Sequence, residues 1–195
     1  MSDGEGPGVG TVKPKRADAR RNAAALLDAA AAVFVTSGVE APIRDIATRA
    51  GVGTATIYRH FPTRADLIVA VYRHQVEALA ESGPRLLTTG ATPHVALGSW
   101  MDSFVDFLVT KQGLATVLQS EDPCFDPLHA YFVERLVPVC DRLLAAAVDS
   151  GEIEPGQDAL ELMRGAGGLC AGGGRPGYDA RRLVGLLIAG LRRVG

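Results

Sequence analysis

Cysteine is scarce in this chain. Among 195 residues there are three, Cys124, Cys140 and Cys170. An odd, scattered set excludes a disulfide framework and a paired-cysteine zinc knuckle, and fits a reducing, cytoplasmic compartment. Aromatic residues make up 6% and tryptophan occurs once. No apolar run approaches the ~18–20 residues that a membrane span needs, so neither a membrane partner nor a secretory signal is expected. No segment alternates well enough for a strand, and no internal repeat is visible. His60, His74, His94 and His129 show no metal-ligand spacing. A Gly-x-Ser-x-Gly elbow and a Gly-Lys-Ser/Thr phosphate loop are absent. The stretch Gly165-Ala-Gly-Gly-Leu-Cys170 fails the dinucleotide fingerprint at its last position. Nothing therefore predicts an enzyme, a metal or a cofactor.

What is present is ordinary globular composition, 47% apolar and 22% charged, with a length that suits one or two domains. Charge is segregated. Residues 1–64 carry nine Lys/Arg and six Asp/Glu, net +3; the remainder carries eleven and sixteen, net −5. A basic first third on an acidic remainder suggests a polyanion contact near the N-terminus. Residues 1–15 are rich in Gly and Pro and read as a disordered tail with a basic end at Lys13 and Lys15.

The rest reads as helix after helix, about nine in all. Leu27, Ala30, Ala31 and Phe34 mark one face of a helix over 20–37. Gly38 stops it. Ile43, Ile46, Ala47 and Ala50 form a short second stripe, Gly51-Val52-Gly53 breaks it, and a third short helix runs from Thr54 to His60. A fourth opens near Arg64, with breaks expected at Gly83-Pro84 and from Gly90 to Pro93. A strong stripe from Leu97 to Leu108 follows, expected to end at Lys111-Gln112-Gly113 before a separate short helix over 114–119. The next helix, about 127–149, contains Pro138, which should kink it and leave the Glu134 carbonyl without its helical donor. Asp158 and Asp179 are placed to cap the last two helices. Gly165, Gly167 and Gly168 threaten to end the first of these early.

Residues 43–61 are the informative stretch. Two short helices with a glycine in the turn make a helix-turn-helix pattern. Ala47 permits a close helix crossing, Gly51 can take the positive φ of the turn, and Val52 and Ile57 bury the second helix. The remaining faces carry Thr54, Ala55, Thr56, Tyr58, Arg59 and His60. They are small where a recognition helix nears base edges and polar or basic further on.

These residues resemble the DNA-binding domain of the tetracycline-repressor-like (TetR/AcrR) family. The likeness runs through Leu27-Asp28-Ala29-Ala30, Phe34, Gly38, Asp45-Ile46-Ala47, Ala50-Gly51-Val52, Thr56 to Phe61 and Leu67, over about residues 20–72. It departs from the family pattern at Gly53 and Pro42, where a serine and a threonine commonly cap the helices. The resemblance implies an all-α homodimer. A DNA-binding unit would span 16–63, and a ligand-binding and dimerisation unit 64–195. By position, Arg44, Thr56, Tyr58, His60 and Arg64 match backbone contacts, Thr54 and Ala55 match base-reading positions, and Arg59 adds charge. The residues alone leave Tyr58 open as a core aromatic and Arg64 as a solvated charge. The implied partners are a palindromic double-stranded operator and a small apolar or amphipathic effector. Repression relieved by that effector is the expectation, with control by a protein partner or by abundance as the alternative.

For the effector pocket, the large or adaptable apolar residues are Trp100, Met101, Phe104, Phe107, Leu118 and Phe125, then Phe132, Cys140 and Met163. His129 is the polar candidate for orienting a ligand. Each of these could equally be plain core. By family analogy the last two helices make the dimer interface, through Met163, Ala166, Gly167 and Cys170 on one and Leu183, Leu186, Leu187 and Gly190 on the other.

Overall fold

The computed structural model describes residues 13–118, 127–172 and 177–193, with side chains over 21–108 and throughout the two later segments. Eight helices occur among the described residues: α1 (Lys13–Ser37), α2 (Ile43–Ala50), α3 (Thr54–His60), α4 (Arg64–Thr89), α5 (Pro93–Leu118), α6 (Pro127–Asp149), α7 (Ala159–Ala171) and α8 (Ala180–Gly190). The all-α expectation holds. Sheet pairing among the described residues is limited to one bridge, Ile153 with Arg192. No helix among them is long and apolar enough to cross a membrane.

Local chemistry sets most of the helix boundaries. Gly38 and Gly51 take φ of 76° and 68°, which only glycine adopts freely. The Asp158 side chain accepts from the Glu161 amide and that of Asp179 from the Arg182 amide, each filling an orphan donor of a first turn. Helix α4 starts on a capping box, in which Thr63 accepts from the Asp66 amide while Asp66 accepts from the Thr63 amide. At the start of α5, Glu152 accepts from the His94 amide. The Thr92 hydroxyl, first, and that amide hold the Glu152 carboxyl below the ordinary carboxylate range.

Four boundaries differ from the sequence expectation. Helix α1 begins at Lys13, inside the expected tail and well before residue 20. Helix α4 runs straight through Gly83-Pro84, α5 runs through Lys111-Gln112-Gly113 so that no separate helix covers 114–118, and α7 tolerates its three glycines. A glycine costs only about 1 kcal/mol inside a helix, which packing readily outweighs. At Gly83 the packing needs the glycine, because a Cβ there would lie 2.3 Å from Cγ1 of Val139 on α6.

The core is continuous. Helix α4 packs on α5 and α6, α1 joins α2 to α4, and α7 and α8 close against α5 and α6. Trp100 is fully buried, stacks on Phe104 with ring centroids 5.7 Å apart, and donates its indole N–H to the Leu79 carbonyl of α4 at 3.0 Å. His94, the one buried polar or charged residue among the described residues, bonds through Nε2 to the Ile188 carbonyl at 3.0 Å and ties α5 to α8.

Because a β-branched side chain cannot swing aside cheaply, Gly83→Ala should lower stability despite its gain in helix propensity. Overpacking costs about 1–3 kcal/mol against a gain of about 1 kcal/mol. Equilibrium urea unfolding measures the difference, and an unchanged or raised midpoint contradicts it.

Candidate nucleic-acid interface and ligand cavity

The expected helix-turn-helix is present. The Val52 amide donates to the Ala47 carbonyl at 3.0 Å across the glycine turn, and Ala47 itself is buried. Ile57 is fully buried and seats α3 on the core. Thr54, Ala55, Tyr58, Arg59 and His60 are exposed, so the helix presents one continuous face to solvent. Tyr58 is 53% exposed and is not a core aromatic. Thr56 is half-buried and its hydroxyl accepts from Arg59 Nη2 at 3.2 Å. The Arg44 side chain is 81% exposed, 3.5 Å from Asp45. Neither Pro42 nor Gly53 supplies a side-chain cap.

Arg64, matched by position to a backbone contact, is not a freely solvated charge. Its half-buried guanidinium donates to the carbonyls of Val39 and, at 2.9 Å, Ala41. It therefore latches the first residue of α4 to the turn between α1 and α2. A second tie between the same units joins His74 Nε2 to Asp28 at 2.9 Å. The orientation of the helix-turn-helix is thus fixed against α4.

A cavity of about 790 Å³ lies among α5, α6 and α7. Four of the expected residues line it: Phe104, His129, Phe132 and Met163. Trp100, Met101 and Cys140 do not; each is fully buried in the core, as is Phe107 at 6% exposure. Burial pushes the Cys140 thiol up to about 12, so it is a packing group and not a reactive one. Phe125 and the side chain of Leu118 lie outside the described residues. Sequence reasoning missed Leu108, Ala130, Val133, Leu160 and Arg164. The stripe Leu160, Met163, Arg164, Gly167 has helical spacing and was readable, but a charged member hid it. Among the described residues α4 does not line this cavity.

Helix α4 instead reaches the cavity wall indirectly. Glu77 receives Nε of Arg135 at 2.7 Å, the other arm of that guanidinium, and the Tyr131 hydroxyl. Arg73 stands 5.3 Å over the Tyr131 ring. Tyr131 and Arg135 alternate along α6 with the wall residues Ala130, Val133 and Glu134. One helix therefore presents one face to the cavity and another to α4. A second path runs through rings: Phe104 and Phe107 each lie within 6.0 Å of Phe132, and Phe107 meets Tyr72 of α4 edge-on at 5.6 Å.

The expected interface set divides. Met163, Ala166 and Cys170 are buried within the protomer, and Gly167 lines the cavity. Leu186, 59% exposed, and Gly190 face solvent, while Leu183 and Leu187 are half-buried. Gly165 and Gly168 are exposed beside them.

Residues 26–71 match the family described as bacterial regulatory proteins, tetR family. Residues 92–193 match the C-terminal domain of SbtR-like transcriptional regulators. The chain is 28% identical to the repressor KstR of Mycolicibacterium smegmatis over 141 residues, 71% of this chain and 68% of that protein. It is 32% identical to the repressor LfrR of the same organism over 142 residues, 70% of each. Among solved structures, the TetR regulator SCO0520 of Streptomyces coelicolor superposes with a TM-score of 0.77 at 32% identity, over 89% of this chain and 99% of that one.

The Glu77 carboxyl is held below its ordinary range, first by the hydrogen bond from Arg135 and then by that from Tyr131. Its native value is depressed, so its contribution is present at neutral pH and is lost as pH falls through that lowered value. Glu77→Gln should lower stability at pH 7 and flatten the acid limb of the pH–stability profile. Thermal unfolding between neutral and acid pH checks this; parallel acid limbs for both proteins contradict it.

Proposed function

The chain belongs to the tetR family of bacterial regulatory proteins and is a DNA-binding transcriptional regulator, and from that premise we propose that it is a homodimeric repressor of an inverted-repeat operator, released by an effector. In this reading residues 16–63 read DNA in the cytoplasm, and residues 64–195 bind the effector and the second protomer. Arg44, Tyr58 and His60 engage phosphates. Thr54 and Ala55 meet base edges, with Thr56 and Arg59 flanking them. Arg64 acts as a positioning residue, through the Val39 and Ala41 carbonyls it holds.

The observation that carries the proposal is the division of labour on α6. Its cavity face admits a molecule of small-effector size, and its other face is clamped by Glu77 to the helix that holds the reading head. A ligand that favours one α6 position shifts the population of α4 positions with it. A coupling of about 1–3 kcal/mol changes operator affinity roughly 5- to 150-fold. The exposed Leu186, Gly190, Gly165 and Gly168 supply a small-residue and apolar face on which a second copy can pack closely. A two-fold dimer sets its half-sites about 34–36 Å apart or a multiple of that.

Selection from random duplex DNA, followed by anisotropy titration at several salt concentrations, tests this. The expected product is an inverted repeat bound more weakly as salt rises. Arg44→Ala should weaken all duplexes alike and reduce the log–log salt slope by about 0.9 per half-site. Thr54→Ala should relax preference at one base position, by about 1–3 kcal/mol. An enriched site without dyad symmetry contradicts the dimer. An operator that no cavity-sized molecule releases returns the choice to a regulator governed by a protein partner or by abundance.

A further inference from the structure

A second cavity, of about 280 Å³, opens between α4 and α5 and shares no lining residue with the one among α5, α6 and α7. One wall is Gln75, Ala78, Leu79 and Ser82, at i, i+3, i+4 and i+7 along α4. The other is Ser103, Asp106 and Phe107, at i, i+3 and i+4 along α5. Each wall is therefore one continuous helix face. We propose that this groove is a second small-molecule site, and that its occupant is a compact apolar molecule with one O–H or N–H group that donates to Gln75 Oε1.

Gln75 Oε1 is shut off from solvent and has no hydrogen-bond partner among the described residues. A buried acceptor left unmet is costly, and a donor that reaches it recovers that cost. The hydroxyls that line the groove are committed elsewhere. Ser82 donates to the Leu79 carbonyl at 2.7 Å, and Ser103 to the Ser99 carbonyl at 3.1 Å. Both therefore present lone pairs to the groove. Asp106, also an acceptor, is ion-paired with Arg181 of α8. Its charge is met within the chain, so charge does not select the occupant. Hydrogen-bond polarity does: the site accepts, and the molecule must donate. Ala78, Leu79 and the edge of Phe107 supply the apolar surface for its body.

A built-in reporter adjoins the groove. The Leu79 carbonyl that takes the Ser82 hydroxyl also takes the Trp100 indole N–H at 3.0 Å, and Trp100 is the single tryptophan. Its fluorescence, excited beyond the phenol band, is followed while the full chain is titrated with phenol and with anisole. The two share a ring and an acceptor oxygen, and only phenol has a donor. Phenol should bind at least about fivefold more tightly, the lower end of what an unmet buried acceptor costs.

Gln75→Met has similar length and helix propensity but no amide acceptor. It should lower the phenol-to-anisole ratio about fivefold, whereas Gln75→Glu, which keeps an acceptor oxygen, should retain the preference. Leu160→Phe, which narrows the other cavity, should leave the ratio unchanged. Gln75→Met should also raise the urea midpoint of the free protein, because the unmet acceptor is gone. Circular dichroism confirms that the variants are folded. A ratio that Gln75→Met leaves unchanged, a ratio that falls with Leu160→Phe instead, or binding of neither probe overturns the proposal. Tighter binding of anisole overturns it too, because the groove then offers a donor. A midpoint that Gln75→Met does not raise shows the acceptor already met within the chain, and overturns it as well.

Discussion

The unbroken length of α4 is the constraint on which the rest of the molecule depends. Its 26 residues span about 39 Å at the usual rise. Its first turn holds the helix-turn-helix, through the Thr63–Asp66 box and the Arg64 latch. Its middle is clamped to α6 by Glu77, and its last turns are pressed on Val139 at Gly83. A break at Gly83-Pro84 would have uncoupled the end of the helix from its start. Because there is none, the Glu77 clamp and the Arg64 latch sit on one continuous helix.

The interface along α4 is unevenly satisfied. At Glu77 every participating group is paired and charge-assisted. One turn earlier the Tyr72 hydroxyl and Gln75 Oε1 are buried without a partner among the described residues. Burial pushes the Tyr72 phenol far above its ordinary range, so it stays a neutral donor. An unmet buried polar group costs about 1–3 kcal/mol. Strong and weak contacts therefore alternate along one helix.

Much of the fold was legible because its signals are local. The caps at Asp158 and Asp179 and the turn at Gly51 depend on residues within four positions, so a sequence displays them in full. The break expected at Gly83-Pro84 failed for the opposite reason. Whether a glycine ends a helix depends on what packs on it, and Val139 lies far away in sequence. The same holds for the two sites. The α3 face was readable because a short helix with one buried residue, Ile57, has only one way to sit. Wall and core of the cavity were not separable by size: Phe104 and Phe107 are three residues apart on one helix, yet only the first lines the cavity. Arg164 was not picked out because it is exposed on α7, and residue type alone does not tell a charged cavity rim from open surface.

The missing cap at Gly53 has a consequence for discrimination among DNA sites. Helix α3 has seven residues, far below the length at which a helix persists alone, and neither end has a side-chain cap. It is anchored by Ile57 and by the Gly51 turn. The reading head is thus the least self-supporting element in the assembly, and its order is completed by what it touches. If α3 reads DNA as proposed, a matching duplex bonds the helix along its exposed face and a mismatched one leaves its first turn free to fray, so a single wrong base forfeits neighbouring contacts as well as its own. The weakness of the helix is then a source of selectivity.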